Sequence, residues 1–266
     1  MPLTAYQMAL GRLLAVNRSE DSYLAGGAAI LAQPNTQRYS QDLDYFHDTP
    51  ERVASAYEAD RDLLVSHGYR VEPELAQPGY IRAIVRRGEA ATKVEWAHDS
   101  TWRFMPVIES EAFGYELHPI DLAINKVLAL AGRDEPRDLL DTLYCHEQVL
   151  ELGPQIWAAA GKDPGFSPLS LLDLLLRRGR VRLEDVTRLH LSEPVDLMAL
   201  KTRWLGALAD AEVFVRTRPP EEAGCLYYDT EAGRFVNPDR AKAGSVVPHF
   251  GAPGGVLPRI VGSADE

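Results

Sequence analysis

Hydrophobic residues recur with two different periods in the first half of the chain. A period of about 3.6 residues predicts helices, and strict alternation of polar and apolar residues predicts strands with one buried face. The helical pattern covers residues 4–17 and a longer segment from Pro50 to His67, which Gly68 ends. The alternating pattern predicts strands at RYSQDLDYF, YRVEPEL, YIRAIVRR and TKVEWA. We therefore expect a mixed sheet with flanking helices.

From His118 onward the pattern is helical. The segment HPIDLAINKVLALAG has a proline near its start and a glycine at its end, as helices commonly do. The next helix is predicted to begin near Pro136 and to stop at Gly153. Two more helical segments follow, SPLSLLDLLLRRG and EPVDLMALKTRWLGALADAEVFV. Residues 118–216 are therefore predicted to be all helical.

The sequence after residue 216 returns to extended structure. LYYDTEAGRFV has the pattern of two short strands around an Ala-Gly turn. The sequence that follows is rich in glycine and proline, and we expect an extended tail that is packed or partly disordered. The predicted organisation is a core at 1–117, a helical domain at 118–216, and a hairpin with a Gly/Pro-rich tail at 217–266.

Two aspartates, Asp42 and Asp44, stand two residues apart on the first predicted strand. Their carboxylates therefore project from one face, and they repel each other unless a positive charge lies between them. Mg²⁺ is the hard, oxygen-preferring cation that suits phosphate chemistry. Taken alone, the pair is equally typical of solvent-exposed residues on an edge strand. The segment that precedes the pair favours the metal site.

A glycine pair, Gly26 and Gly27, precedes the aspartates by the length of a helix. We expect a strand or turn up to Gly27 and a helix from about Ala28. Two glycines between a strand and a helix let a phosphate approach the backbone, and the helix N-terminus favours its negative charge. A tight turn explains a lone Gly-Gly equally well. A glycine pair, a helix and then R-x-S-x-D-x-D form a much more specific pattern.

The segment LAGGAAILAQPNTQRYSQDLDYF resembles the first motif of the polymerase β-like nucleotidyltransferases, and more narrowly that of the AbiEii/AbiGii toxin family, which includes the MenT toxins. That family has a glycine pair and then R-x-S-x-D-hydrophobic-D, and each of these positions is present. The resemblance implies that Asp42 and Asp44 bind Mg²⁺, with Mn²⁺ as a substitute. It implies that Arg38 contacts phosphate or braces the strand. The nucleotide-binding residues implied in this way are Gly26, Gly27, Arg38 and Ser40.

A third carboxylate usually completes the metal site in this superfamily, on a neighbouring strand. Glu95, in the middle of TKVEW, is the candidate in this chain. The alternative is a strand-edge glutamate that pairs with a lysine. Both interpretations are open from the sequence.

A second part of the resemblance lies in the helical region, where NKVLALAGRDEPRDLLDTLY matches K-x2-A-x3-R followed by R-D-x2-D. The resemblance implies that Lys126 reaches the nucleotide phosphates as a point charge and that Asp138 orients Lys126 or contacts nucleotide or acceptor. The alternative for Asp141 is an i,i+4 ion pair on the helix surface. A helix end at Gly132 would leave Arg133 outside the helix. The matched positions are Lys126, Ala129, Arg133, Arg137, Asp138 and Asp141.

Composition narrows the class of protein further. The 266 residues carry a formal charge of −11, which disfavours non-specific duplex binding but leaves room for a local basic strip. Two distant cysteines and seven scattered histidines form no zinc-ligand pattern. The N-terminus lacks the features of a signal peptide and no apolar run is long enough for a membrane helix, so we expect a cytoplasmic protein. The basic strip would consist of Arg177, Arg178, Arg180 and Arg182, which a solvated helix end explains as well.

Together these features predict an α+β protein, with a polymerase β-like nucleotidyltransferase core followed by an all-helical region. The expected activity is Mg-dependent transfer of a nucleoside monophosphate from an NTP to an acceptor hydroxyl. The resemblance implies a tRNA 3′ end as acceptor and a cognate antitoxin as partner. One alternative is a small-molecule nucleotidyltransferase of the aminoglycoside type, which the acidic charge favours slightly. The other is a non-catalytic nucleotide-binding module of the same fold.

Overall fold

The computed structural model describes residues 3–32, 38–40, 42–133, 135–179, 182–189, 191 and 194–259. The strands are β1 (Ser22–Ala25), β2 (Asp42–His47), β3 (Arg70–Gln77), β4 (Tyr80–Arg87), β5 (Ala90–His98), β6 (Trp102–Arg103), β7 (Ile108–Ser110), β8 (Gly114–Glu116), β9 (Leu226–Asp229), β10 (Arg234–Phe235), β11 (Val246–His249) and β12 (Ala252–Pro253). The helices are α1 (Ala5–Leu14), α2 (Gly26–Leu31), α3 (Pro50–Ser66), α4 (Pro119–Gly132), α5 (Pro136–Gln148), α6 (Leu152–Lys162), α7 (Pro168–Arg178), α8 (Leu183–Thr187) and α9 (Leu197–Thr217). Within these ranges no helix has the length and apolar character that crossing a membrane requires.

The described residues form two compact units. The first contains the chain up to Thr101 and the segment Pro106–His118, together with Leu191 and Pro194. The second contains Trp102–Met105, the chain from Pro119 to Leu189, and the chain from Val195 onward. The predicted divisions near residues 117 and 216 stay predictions.

The first unit is built on a mixed sheet. In the described part of the chain this sheet has seven strands, in the order β3-β4-β5-β2-β1-β8-β7. Strand β2 is parallel to β5 and β1 is parallel to β8, whereas β1 and β2, β3 and β4, and β4 and β5 are antiparallel. Gly88 makes the predicted turn between β4 and β5, with a φ of 61°. The predicted α+β class with a mixed sheet is therefore confirmed.

Alternation along β2 and β5 gives the sheet two different faces. Tyr45 and Trp96 are fully buried on the face against which α3 packs. Asp60 of α3 accepts a hydrogen bond from Trp96 Nε1 at 2.7 Å and lies 2.6 Å from Arg18 Nη2. The side chains of Arg18 and Asp60 are fully buried, so losing either partner would leave an uncompensated charge in the core. The bond between Trp96 and Asp60 ties α3 to one face of the sheet, and the acidic residues lie on the opposite face.

Helix boundaries follow local sequence in most places. Helix α3 begins after Thr49, whose side chain accepts from the Arg52 amide, and its Pro50 occupies the first turn. Gly68 follows the helix with a φ of 78°, as the sequence predicted for its end. Helix α2 begins at Gly26, two residues earlier than expected.

The second unit has a helical core in which α6 and α7 contact each other, and each of them also contacts α4 and α9. The rings of Trp157 and Phe214 meet edge to face in this core, with centroids 6.4 Å apart. The prediction that Gly153 stops a helix is wrong, because α5 ends at Gln148 and Gly153 lies in the first turn of α6. A Cβ on Gly153 would lie 2.8 Å from Phe214, so this glycine serves close packing. Helix α6 lies in the region predicted to be helical, but it was not predicted as a separate helix.

The described tail belongs to the second unit. Strands β9 and β10 form the predicted hairpin, β11 pairs with the other edge of β9, and β12 pairs with β6. The His249 ring nitrogen Nε2 lies 2.9 Å from the carbonyl oxygen of Phe104. Strands β11 and β12 are too short, and too rich in glycine and proline nearby, for the sequence pattern to predict them. Residues 260–266 of the predicted tail lie outside the described residues.

Candidate active site

Three carboxylates lie side by side where β2 and β5 run parallel. Asp44 stands opposite Glu95 in the strand register, and Asp42 stands opposite Lys93. One oxygen atom from each of Asp42, Asp44 and Glu95 lies within 4.8 Å of the other two. Carboxylates at such distances repel one another unless cations neutralise them. The structure therefore brings together the residues that the sequence proposed as metal ligands.

Cationic side chains of the chain itself contact this acidic cluster. The Lys93 ammonium Nζ lies 3.2 Å from Asp42 Oδ2 and 3.2 Å from Glu95 Oε1. Arg82 of β4 donates from Nε to the same Glu95 oxygen at 3.0 Å, and its Nη2 donates to the Tyr80 hydroxyl at 2.6 Å. The lysine pairing that the sequence offered as the alternative for Glu95 is thus present alongside the carboxylate cluster. Neither Lys93 nor Arg82 was singled out from sequence.

The donor set suits a hard divalent cation. Carboxylate oxygens are the ligands that Mg²⁺ and Mn²⁺ prefer, and here they come from two adjacent, rigidly paired strands. Asp42 is buried, with 4% of its surface exposed, whereas Asp44 and Glu95 are partly exposed. A cation can therefore be held by a fixed buried carboxylate and reach solvent on the other side. The residues present fit the metal that the fold implies.

The glycine pair lies directly beside the acidic cluster. Gly26 has a φ of 61°, and a Cβ at this position would collide with the Asp44 carboxylate. The amide of Gly27 donates to Asp44 Oδ2 at 3.3 Å. The start of α2 thus holds Asp44 in position, a role that the sequence analysis did not assign to the glycines.

Arg38 and Ser40 lie on the segment that leads into β2. Arg38 is buried and forms an isolated β-bridge with Leu191. Its Nη2 lies beside Gly27, where an added Cβ would be only 2.8 Å from it. Ser40 donates from Oγ to the Asp42 carbonyl at 2.8 Å. Residues 33–37 and 41 of the same motif lie outside the described residues. Arg38 therefore lies next to the glycine pair, and Ser40 next to the first aspartate.

Gln7 of α1 links this segment to β5 through hydrogen bonds. Its Nε2 donates to the Ser40 carbonyl at 3.1 Å and to Thr92 Oγ1 of β5 at 3.2 Å. Gln7 is 3% exposed. A single glutamine on an amphipathic helix does not indicate a contact with a distant segment, so the sequence did not predict this role for Gln7.

The helical motif forms a second charged cluster, within the second unit. The Lys126 ammonium lies 3.2 Å from Asp138 Oδ1 and 2.8 Å from Asp141 Oδ2. Arg133 donates from Nε to Asp138 Oδ2 at 2.6 Å, and its own amide donates to the Ala129 carbonyl at 2.9 Å. Helix α4 ends at Gly132, as expected. Asp141 is buried and contacts Lys126, which a purely surface ion pair does not explain.

Electrostatics favour the ionised form of Asp138 in this second cluster. Burial by itself raises the pKa of Asp138, but the charges of Lys126 and Arg133 outweigh it and hold the pKa below its usual value. The side chain of Lys126 is 7% exposed, whereas that of Arg133 is 50% exposed. Lys126 is therefore a buried residue in contact with both Asp138 and Asp141.

The proposed basic strip is only partly described. Arg177 and Arg178 lie in the last turn of α7. Arg182 occupies the N-cap position of α8, and its backbone amide donates to Asp185 Oδ2 at 3.0 Å. Arg180 lies outside the described residues. These positions agree with a solvated helix end.

Comparison with known proteins shows the fold. No protein-family model matches the chain, and no curated protein matches it either. MenT4, a nucleotidyltransferase toxin from Mycobacterium tuberculosis, superimposes with a TM-score of 0.52 at 18% identity, covering 81% of this chain and 83% of MenT4. A Helicobacter pylori protein described as a nucleotidyltransferase gives 0.46 at 17% identity, covering 79% and 93% of the two chains. JHP933 from Helicobacter pylori gives 0.44 at 15% identity, covering 79% and 90%. The MenT4 match confirms the polymerase β-like nucleotidyltransferase fold.

Proposed function

We propose that this protein is a metal-dependent nucleotidyltransferase that moves a nucleoside monophosphate from an NTP to an acceptor hydroxyl. The observation that carries the proposal is the cluster of Asp42, Asp44 and Glu95, whose oxygens lie within 4.8 Å of one another on paired strands. The fold shared with MenT4, itself a nucleotidyltransferase toxin, supports it. Carboxylates held this close repel one another, so their placement on paired strands, with Asp44 and Glu95 partly exposed, favours a bound cation.

The carboxylates of this cluster would hold Mg²⁺ or Mn²⁺. When bound, the cation supplies positive charge that neutralises the phosphates as charge develops on them. In the reaction an acceptor oxygen forms a bond to the α-phosphorus while the bond from that phosphorus to pyrophosphate breaks. The hydroxyl proton passes to a carboxylate, for which we propose Glu95. Asp42, buried and bonded through its carbonyl to Ser40, fixes the cluster during this exchange.

Nucleotide binding falls to the residues that flank the cluster. We assign phosphate contacts to Gly26, Gly27 and Ser40, and a phosphate or bracing role to Arg38, because each lies next to the carboxylates or to another of these residues. We assign Lys126 as the phosphate cation, with Asp138 as its positioning residue. The two carboxylates that its ammonium contacts would hold it in position.

The acceptor we propose is the 3′ end of a tRNA, with toxicity as the cellular outcome. This rests on the AbiEii-type motifs of the sequence and on the toxin named in the structural match. The toxin proposal also implies a cognate antitoxin partner, and an AbiEi-type gene beside this one would support it. The formal charge of −11 favours a cationic acceptor such as an aminoglycoside, which makes that the second candidate.

A transfer assay tests the proposal. Purified protein is incubated with each α-labelled NTP and Mg²⁺, in parallel with total tRNA and with a panel of aminoglycosides. We expect label on tRNA, and we expect Asp44→Asn to reduce transfer by about a hundredfold or more, because it removes a carboxylate that would hold the cation. Asp62→Asn is the matched control, since it removes the same charge from an exposed position on α3.

The outcomes separate the candidate functions. Label on aminoglycosides but not on tRNA would show that the acceptor is a small molecule and not tRNA. Mg²⁺-dependent NTP binding without transfer to any acceptor would favour a non-catalytic nucleotide-binding module. Equal transfer by wild type and Asp44→Asn would contradict the assignment of the site.

A further inference from the structure

Lys93 occupies an unusual position in the acidic cluster. It precedes Glu95 by two residues on β5, so both side chains project from the same face of the strand. Parallel pairing with β2 sets Lys93 opposite Asp42. Its ammonium lies 3.2 Å from an oxygen of Asp42 and 3.2 Å from an oxygen of Glu95. The ammonium thus bridges two of the carboxylates assigned to the metal.

Arg82 contacts the cluster in a different way. Its guanidinium pairs with Glu95, and the Tyr80 hydroxyl holds it from the other side. A planar guanidinium with two fixed partners is suited to bracing Glu95. Lys93 instead carries a compact, strongly hydrated charge on a flexible stem, and 27% of its side chain is exposed. Lys93 can therefore leave the carboxylates for solvent without disturbing the strand.

We propose that Lys93 is an internal counter-ion that competes with the divalent cation for Asp42 and Glu95 and thereby sets the metal affinity of the site. This inference rests on the proposed function of the cluster. A cation that coordinates the same two carboxylates must displace the ammonium from them, because two positive centres cannot share those oxygens at close range. Lys93 lowers the repulsion among the carboxylates of the folded chain and, by the same contacts, weakens the binding of metal.

Removal of the ammonium has two opposite consequences. Without metal, three carboxylates would face one another with less neutralisation, so the folded state would lose stability. When metal binds, the cation would not have to displace an ammonium from Asp42 and Glu95, so metal binding would become tighter. A residue with a merely structural role would show the first effect without the second.

Metal titration tests the inference directly. Mn²⁺ binding is measured by electron paramagnetic resonance on wild type, Lys93→Met and Lys93→Gln at one pH and ionic strength. We expect both variants to bind Mn²⁺ about tenfold more tightly, since displacement of a partly exposed ammonium from two charge-assisted contacts costs roughly that much. Arg86→Met is the matched control: it removes one positive charge from the neighbouring strand, where Arg86 pairs with Glu72, and should bind as wild type.

Thermal unfolding provides the second readout. We expect Lys93→Met to melt below wild type in the presence of a chelator, and to gain more in melting temperature than wild type when Mn²⁺ is added. Unchanged or weaker Mn²⁺ binding by both variants, with weaker NTP binding, would overturn the inference and make Lys93 a phosphate ligand.

Asp44→Asn distinguishes failure of this inference from failure of the proposed function. If Asp44→Asn weakens Mn²⁺ binding while both Lys93 variants bind as wild type, only the role of Lys93 is wrong. If Asp44→Asn binds Mn²⁺ as wild type does, the cluster is not the metal site, and both proposals fall.

Discussion

His47, at the end of β2, is an imidazole fully enclosed in the core of the first unit. Among the described residues neither of its ring nitrogens has a hydrogen-bond partner. Burial, together with the nearby charges of Arg18 and Arg52, lowers the pKa of His47 to about 3. The histidine is therefore neutral in the folded protein, on the same strand that carries Asp42 and Asp44.

Acid should unfold the protein partly through this residue. Because the folded pKa lies below the ordinary value of 6.5, the unfolded chain takes up a proton that the folded chain refuses. The stability from neutral His47 is complete above pH 6.5 and is lost as pH falls toward about 3. Between pH 7 and 5.5 we expect wild type to lose about 1 kcal/mol more than His47→Gln in urea unfolding. Parallel pH profiles for the two proteins would contradict this expectation.

The junction of β1 and α2 illustrates how an element positions a carboxylate of the acidic cluster. Gly26 adopts a φ of 61° there, and its missing side chain leaves space for the Asp44 carboxylate. The turn at the glycine pair and the acidic face of β2 were predictable from the sequence, because both depend only on local residue types and on strand alternation. The contact of the glycines with Asp44 was not predictable, because it depends on the antiparallel register of β1 and β2.

Gly26→Ala should damage the site as well as the backbone. An L-residue in the left-handed region costs about 1–2 kcal/mol, and here the new methyl group would also push Asp44 aside. We expect Mn²⁺ binding to weaken about tenfold or more. Gly88→Ala is the matched control, since Gly88 also has a φ of 61° but has no atoms within 4 Å of its Cβ position. Both variants should lose stability; equal metal binding by the two would show that Gly26 does not position Asp44.

At the scale of the molecule, features set by neighbouring residues were predictable from the sequence, whereas contacts set by long-range strand register were not. Helix periodicity and strand alternation yielded the mixed sheet and the helical region, since each needs only neighbouring residues. The contact of Lys93 with Asp42 depends on pairing between strands about fifty residues apart, which no local pattern encodes. Gly153 was misjudged for a similar reason, because its packing against Phe214 lies outside its own segment.

The same limit applies to the tail, whose short strands complete the second unit. His249 of β11 pairs with Leu226 of β9 in register and approaches the Phe104 carbonyl, and Phe104 and Leu226 are fully buried. A chain that ends at Gly244 would uncover these side chains, each of which contributes about 1.5–3 kcal/mol when buried. We expect the free energy of unfolding to fall by roughly 3 kcal/mol or more in urea titrations. A control chain that ends at Arg259 keeps both strands, and an equal loss in that control would contradict a structural role for β11 and β12.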